Sequence, residues 1–148
     1  MSGLVCTNEA EAHVSPLIWS HTCTTGVQSM DDKHGILMDC LNELRNLLSR
    51  GGDPKDVRET LGRLTALTMM HFESEEALLQ SYAFPGLTEH RREHHRLLTQ
   101  LADFANHPNP GSNGAAMGLA QFLRDWFIAH VEGLDQAYGP WLLERGVK

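Results

Sequence analysis

The feature that most constrains this chain is a set of polar residues on stripes that ought to be apolar. Four segments repeat apolar side chains with helical period, and each stripe carries a histidine or carboxylate at a position facing the interior. The first segment runs from Asp31 or Asp32 to about Arg50. Leu37, Leu41, Leu44 and Leu48 lie in register, with Met38 and Leu47 beside them, and Gly51-Gly52 is a stop signal. His34 heads that stripe. Asp53-Pro54 reads as an N-cap followed by proline at the first helical position. The second segment then carries Val57, Leu61, Leu64, Thr68, Leu78 and Tyr82 and extends to about Ser81, with His71 and Glu75 filling the gap.

Phe84-Pro85-Gly86 breaks the second helix, and Thr88 is placed to cap the third. Its stripe is Leu87, Leu97, Leu101 and Phe104, with His90 and His94 inside it. It ends at His107-Pro108-Asn109-Pro110-Gly111, which no helix crosses. The fourth helix is expected from about Gly114 to His130 through Leu119, Phe122, Leu123 and Trp126, followed by a short helical tail from Asp135 to about Leu143. No stretch alternates with period two, so no strands are expected. The fold class that follows is all-α: a single domain over 1–148, formed by an antiparallel up-down four-helix bundle with its C-terminal tail over 31–148. Residues 1–30 read as an extended arm whose one apolar cluster is Leu17-Ile18-Trp19.

Nine histidines against two tyrosines mark where the chemistry lies. His34, His71, His90, His94 and His130 come from all four helices, and His71/Glu75 and His90/His94 are i,i+4 pairs on one face. A buried ionised glutamate costs several kcal/mol unless something positive neutralises it. Five imidazoles around it would also leave many polar groups unsatisfied, and a divalent metal resolves both problems. Asp135 is the candidate seventh ligand. Five residues from His130, it would lie about 140° away on an unbroken α-helix, so a loosened turn around Gly133 is expected. One structural zinc closes with four ligands, so this set suits two metals bridged by Glu75 and Asp135. Five histidines then divide three and two. With one bridging oxygen, the two-histidine metal keeps a vacancy for a small ligand.

Other readings narrow the function. A formal charge of −7 argues against a nucleic-acid partner. No apolar run approaches 18 residues, so no membrane partner is expected. Glu9 and Glu11 stand where a secretory signal would be basic or apolar, and Cys6, Cys23 and Cys40 form no CxxC pair. Both point to a cytoplasmic protein with reduced thiols. A ferritin-like di-iron site would need Glu-x-x-His, and none of the nine histidines has Glu three residues before it. His95 is expected on the surface or as a donor behind the ligands, His107 at a helix end, and His13 and His21 in the arm. Cys40 is expected to be buried and inert. Tyr138, one turn after Asp135, could hydrogen-bond near the site, though a structural role is the first expectation.

Met30-Asp31-Asp32-Lys33-His34, His71-Phe72-Glu73-Ser74-Glu75-Glu76, Phe84-Pro85 with His90-x3-His94, and Trp126-Phe127-Ile128-Ala129-His130-x4-Asp135 together resemble the hemerythrin family. Trp19 resembles the tryptophan of that family's N-terminal arm. The resemblance implies a non-haem di-iron centre that binds O2 reversibly, so the protein would be a carrier or store and not an enzyme. By that resemblance His90, His94 and His130 hold the coordinatively full iron and His34 and His71 the open one. Glu75, Asp135 and an oxo or hydroxo group bridge the two iron ions. Trp126 and Phe127 are candidates for the dry O2 pocket; the family more often shows leucine where Phe127 stands, and phenylalanine would narrow access. O2 or redox sensing, or peroxide or nitric oxide scavenging, is the alternative use of the same site. A sensor would pass its signal to an output domain, for which this chain leaves no room, although the arm could dock a protein partner.

Overall fold

The computed structural model describes residues 24–106 and 113–148, apart from the side chains of 113–117 and 120. The arm up to residue 23, with Cys6, His13, Trp19, His21 and Cys23, lies outside the described residues, as does His107. Among the described residues five α-helices follow one another: α1 (Gln28–Ser49), α2 (Pro54–Ser81), α3 (Leu87–Ala105), α4 (Asn113–Ala129) and α5 (Asp135–Leu143). A π-helical turn, His130–Leu134, joins α4 to α5. No strand occurs among the described residues. α1 packs on α2, α2 on α3, and α4 closes against both α1 and α3, which makes a four-helix bundle.

The helix ends follow local chemistry. The Asp53 carboxylate accepts the Lys55 N–H at 2.8 Å and Pro54 occupies the first helical position. Gly51, at φ +64°, takes the left-handed turn that ends α1, and the Gly52 N–H bonds back to the Leu47 carbonyl at 2.8 Å. α1 starts earlier than the sequence suggests. Asp31 does not cap the helix from outside; it lies in the first turn and reaches back to accept the N–H groups of Thr25 at 2.8 Å and Gly26 at 3.1 Å. Thr88 likewise falls inside α3, which begins after Gly86 without a side-chain cap.

Among the described residues two apolar clusters lie on either side of a polar layer. The larger contains Leu37, Leu41, Leu44, Leu61, Leu64, Leu97, Leu101, Leu119, Leu123 and Trp126. The smaller contains Val27, Met30, Leu79, Tyr138 and Leu142. Between them lie His34 on α1, His71 and Glu75 on α2, His90 and His94 on α3, and His130 and Asp135 at the π-turn. Leu79, and not Leu78, continues the buried stripe of α2; Leu78 is half-buried and Tyr82 exposed.

The smaller cluster depends on close approach of the chain before α1 to α5. A Cβ on Gly139 would collide with the carbonyl oxygen of Thr25. Gly139→Ala is therefore expected to cost about 1–3 kcal/mol through overpacking, read as a lower urea midpoint at unchanged slope.

Candidate metal centre

All seven histidine and carboxylate residues picked out from the stripes are buried in one layer. The π-turn explains how Asp135 joins them. Its N–H bonds the carbonyl of His130, an i→i+5 bond. That pattern inserts one extra residue into the turn and sets residues five apart over one another. The Asp135 Oδ1 thus comes within 3.2 Å of the His130 Nε2. The loosened turn inferred from the sequence is present, as a change of hydrogen-bond pattern spread over five residues.

Two groups of ligand atoms result, each mutually within 4.8 Å. One is Glu75, His90, His94 and His130; the other is His34, His71, Glu75 and Asp135. Each carboxylate turns one oxygen toward each half. Glu75 Oε1 lies 2.8 Å from His90 Nε2 and 3.0 Å from His94 Nε2, whereas Oε2 lies 3.5 Å from His71 Nε2 and 3.9 Å from His34 Nε2. Asp135 Oδ1 lies 3.1 Å from His90 Nε2, and Oδ2 lies 2.9 Å from His34 Nε2.

Proximity here is not the same as hydrogen bonding. His34 Nε2 and Asp135 Oδ2 are close, yet neither makes an aligned hydrogen bond among the described residues, and the same holds for His71 Nε2 and Asp135 Oδ1. His94 Nε2 and His130 Nε2 approach to 3.3 Å, nitrogen to nitrogen. Orphaned buried donors and acceptors are costly, and these aim at common points between the side chains. A cation at each point satisfies them. Imidazole and carboxylate donors with no thiolate suit first-row metals such as iron, and two histidines with a carboxylate are a pattern for non-haem iron.

The electrostatics agree with that fit. Burial pushes the Glu75 carboxyl up, but its contacts with His71, His90 and His94 hold it well below the usual carboxylate range. Asp135 is likewise held well down by His130 and His34, against burial and the neighbouring Glu75 charge. Burial alone would depress His90, but Asp135 and Glu75 together raise it to about 9. His34 is raised by the same two carboxylates against its burial, whereas burial lowers His71. In the metal-free protein the two buried carboxylates thus favour the charged forms of His90 and His34.

Three residues beside the centre support its ligands. The Tyr138 hydroxyl, fully buried, donates to Glu75 Oε2 at 2.6 Å. Glu76 Oε2 lies 2.6 Å from His94 Nδ1, and the Phe72 ring stacks on His94 with centroids 3.6 Å apart. Tyr138→Phe leaves one buried carboxylate oxygen short of a donor, so a loss of about 1–3 kcal/mol in the metal-free protein is expected in denaturant unfolding.

The remaining sequence candidates are placed as follows. Trp126 is buried and stacks on His130, with ring centroids 6.2 Å apart, and Phe127 is buried against Trp126. An apolar cavity of about 140 Å³ opens beside His71, lined by Lys33, Ile36, Leu37, Leu67 and Met70. His95 is exposed and Cys40 buried. No helix among the described residues is long and apolar enough to cross a membrane.

Fold and site together define a helical bundle with two groups of histidine and carboxylate side chains that share Glu75 and could each hold a cation. The family model for the Hemerythrin HHE cation binding domain matches residues 25–142, and the chain belongs to the hemerythrin family. It is 30% identical over 118 residues to a bacteriohemerythrin of Methylococcus capsulatus, covering 80% of this chain and 89% of the relative. It is 26% identical over 123 residues to hemerythrin subunit 1 of Golfingia vulgaris, covering 83% of this chain and 90% of that one. A wild-type hemerythrin crystal structure superposes with a TM-score of 0.74 at 28% identity, covering 84% of this chain and 95% of the other.

Proposed function

We propose that the chain binds two iron ions in this layer and takes up O2 reversibly, as a carrier or store and not as an enzyme. The observation that carries the reading is the three-and-two division of histidines around carboxylates that face both halves. His90, His94 and His130 would hold one ion and His34 and His71 the other, with Glu75 and Asp135 spanning both. When bound, the iron pair supplies the two electrons that O2 accepts and later returns.

The chain's own part is to hold the ligands and keep water away. Burial of all seven donors among leucines and aromatic rings lowers the local dielectric and excludes bulk protons, which favours release of O2 over its loss as peroxide. Trp126 and Phe127 belong to that apolar shield in this reading, beside Phe72. The Tyr138 hydroxyl, bonded to Glu75, orients the carboxylate. In the metal-free protein, burial and the Glu75 charge push the ionisation of Tyr138 far up, so it stays a donor to that carboxylate.

The test is an optical spectrum of iron-loaded protein, reduced without air, exposed to O2 and then purged. A visible charge-transfer band that grows with O2 and vanishes on purging is the expected result. A lasting oxidised spectrum overturns reversible carriage, and absence of any iron-dependent band overturns the centre.

A further inference from the structure

α2 presents two neighbouring i,i+4 pairs. His71 and Glu75 point into the centre, and one position further round, Phe72 and Glu76 face α3. Both of the latter touch the same ring. Phe72 lies parallel to His94, with an interplanar angle of 3° and centroids 3.6 Å apart, and the Glu76 carboxylate meets His94 Nδ1 at 2.6 Å. Glu76 is itself anchored from outside: Arg91 Nε donates to its Oε1 at 3.2 Å, and Arg91 Nη2 donates to Gln80 Oε1 at 2.8 Å. The ring plane is thus set by Phe72 and the ring edge by Glu76.

We propose, resting on the reading of His94 as a cation ligand, that Glu76 is a positioning residue. Its carboxylate accepts the Nδ1–H of His94 and so leaves the Nε2 lone pair free, aimed between Glu75 and His130. Two facts favour this over a surface ion pair that merely reaches inward. The 2.6 Å contact is as short as the tightest hydrogen bonds to a carboxylate, and His94 is buried while Glu76 is part-exposed, so the carboxylate reaches the ring from the solvent side and keeps part of its hydration. Moreover, the Nδ1 atoms of His34, His71 and His130 have no hydrogen-bond partner among the described residues. Of these four ligands His94 alone has a carboxylate behind its ring. Such a partner fixes the tautomer and strengthens the nitrogen as a donor. The three-histidine half, with one imidazole more and Glu76 behind the His94 ring, is therefore the tighter cation site.

Cobalt(II) is the probe, titrated against a competing chelator into the full chain as wild type, Glu76→Ala, Glu76→Gln and Glu73→Gln. Glu73 is exposed on the same helix and controls for removal of one surface charge. Glu76→Ala is expected to weaken the tighter site about 10–100-fold and spare the other; Glu76→Gln, which keeps an acceptor oxygen, recovers part of the loss, and Glu73→Gln matches wild type. Nitrogen NMR of the metal-free protein at mildly alkaline pH gives a second readout: His94 protonated on Nδ1 in wild type and in Glu76→Gln, and a mixture of tautomers in Glu76→Ala. Wild-type cobalt binding in Glu76→Ala, an equal loss in Glu73→Gln, or a proton on His94 Nε2 in wild type overturns the proposal. A wild-type chain that takes up no cobalt overturns the cation reading itself, and the tautomer measurement still decides whether Glu76 holds the ring.

Discussion

Glu75→Ala is expected to abolish binding of the cation pair and to lower the stability of the metal-free protein by about 3–5 kcal/mol, the cost of removing one partner from a buried ionic network. Glu75 belongs to both ligand groups, so its removal takes a donor from each at once. Its loss also strips His90 of a contact at 2.8 Å and the Tyr138 hydroxyl of its acceptor at 2.6 Å. Iron per chain by elemental analysis should fall to less than half of wild type, and the urea midpoint should fall with it. Glu75→Gln separates the two effects: the amide oxygen keeps the shape and one acceptor, so the fold is retained better while the bridging charge is gone. His71→Ala removes a donor from one group only, and iron content should fall less than in Glu75→Ala. Wild-type iron content in Glu75→Ala with an unchanged midpoint would remove the basis for a shared bridging carboxylate.

Why the stripes could be read from sequence, and parts of the site could not, follows from the range of the forces involved. Helix periods and ends are local. Asp53-Pro54 and Gly51-Gly52 act on their own backbone, and the structure uses them as read. The polar interruptions were legible because His34, His71, Glu75, His90 and His94 occupy positions that packing alone would give to leucine. The π-turn was only half legible: 140° of separation says that a regular helix cannot deliver Asp135, but not which hydrogen bonds change. Glu76 was missed, and Tyr138 was legible only as a residue able to bond near the site, for a different reason. Glu76 looks like a solvated charge, and Tyr138 becomes a donor to Glu75 only because α5 packs against α2 at a sequence distance of 63 residues. The signals available for Glu76 are its place in the His71–Glu76 motif and its i,i+4 spacing from Phe72, parallel to His71 and Glu75.

Cation loading is expected to raise the melting temperature, and to do so more strongly as pH rises from 6.5 toward 9. Without metal, the charged form of His90 is favoured by Asp135 and Glu75 and its pKa is raised from 6.5 to about 9. A raised pKa gives stability that is fully present below 6.5 and is lost as pH climbs through about 9. Glu75 and Asp135 have depressed values, so their contribution is present above the ordinary carboxylate range and is lost only as pH falls through the lowered values. The metal-free protein should therefore be most stable in mildly acidic solution and soften on the alkaline side. Bound cations need neutral histidines, so they displace the His90 proton. Loading in weak buffer at neutral pH should release protons, and apparent affinity should rise about tenfold per pH unit up to about 9 for each proton displaced. With free metal at about a hundred times its dissociation constant, two sites add roughly 5 kcal/mol. For a domain of this size that is a rise of about 10–20 °C in Tm, reversed by a chelator. A gap between loaded and metal-free Tm that stays constant from pH 6.5 to 9 would show that His90 is neutral before metal arrives and that the buried carboxylates are balanced in some other way.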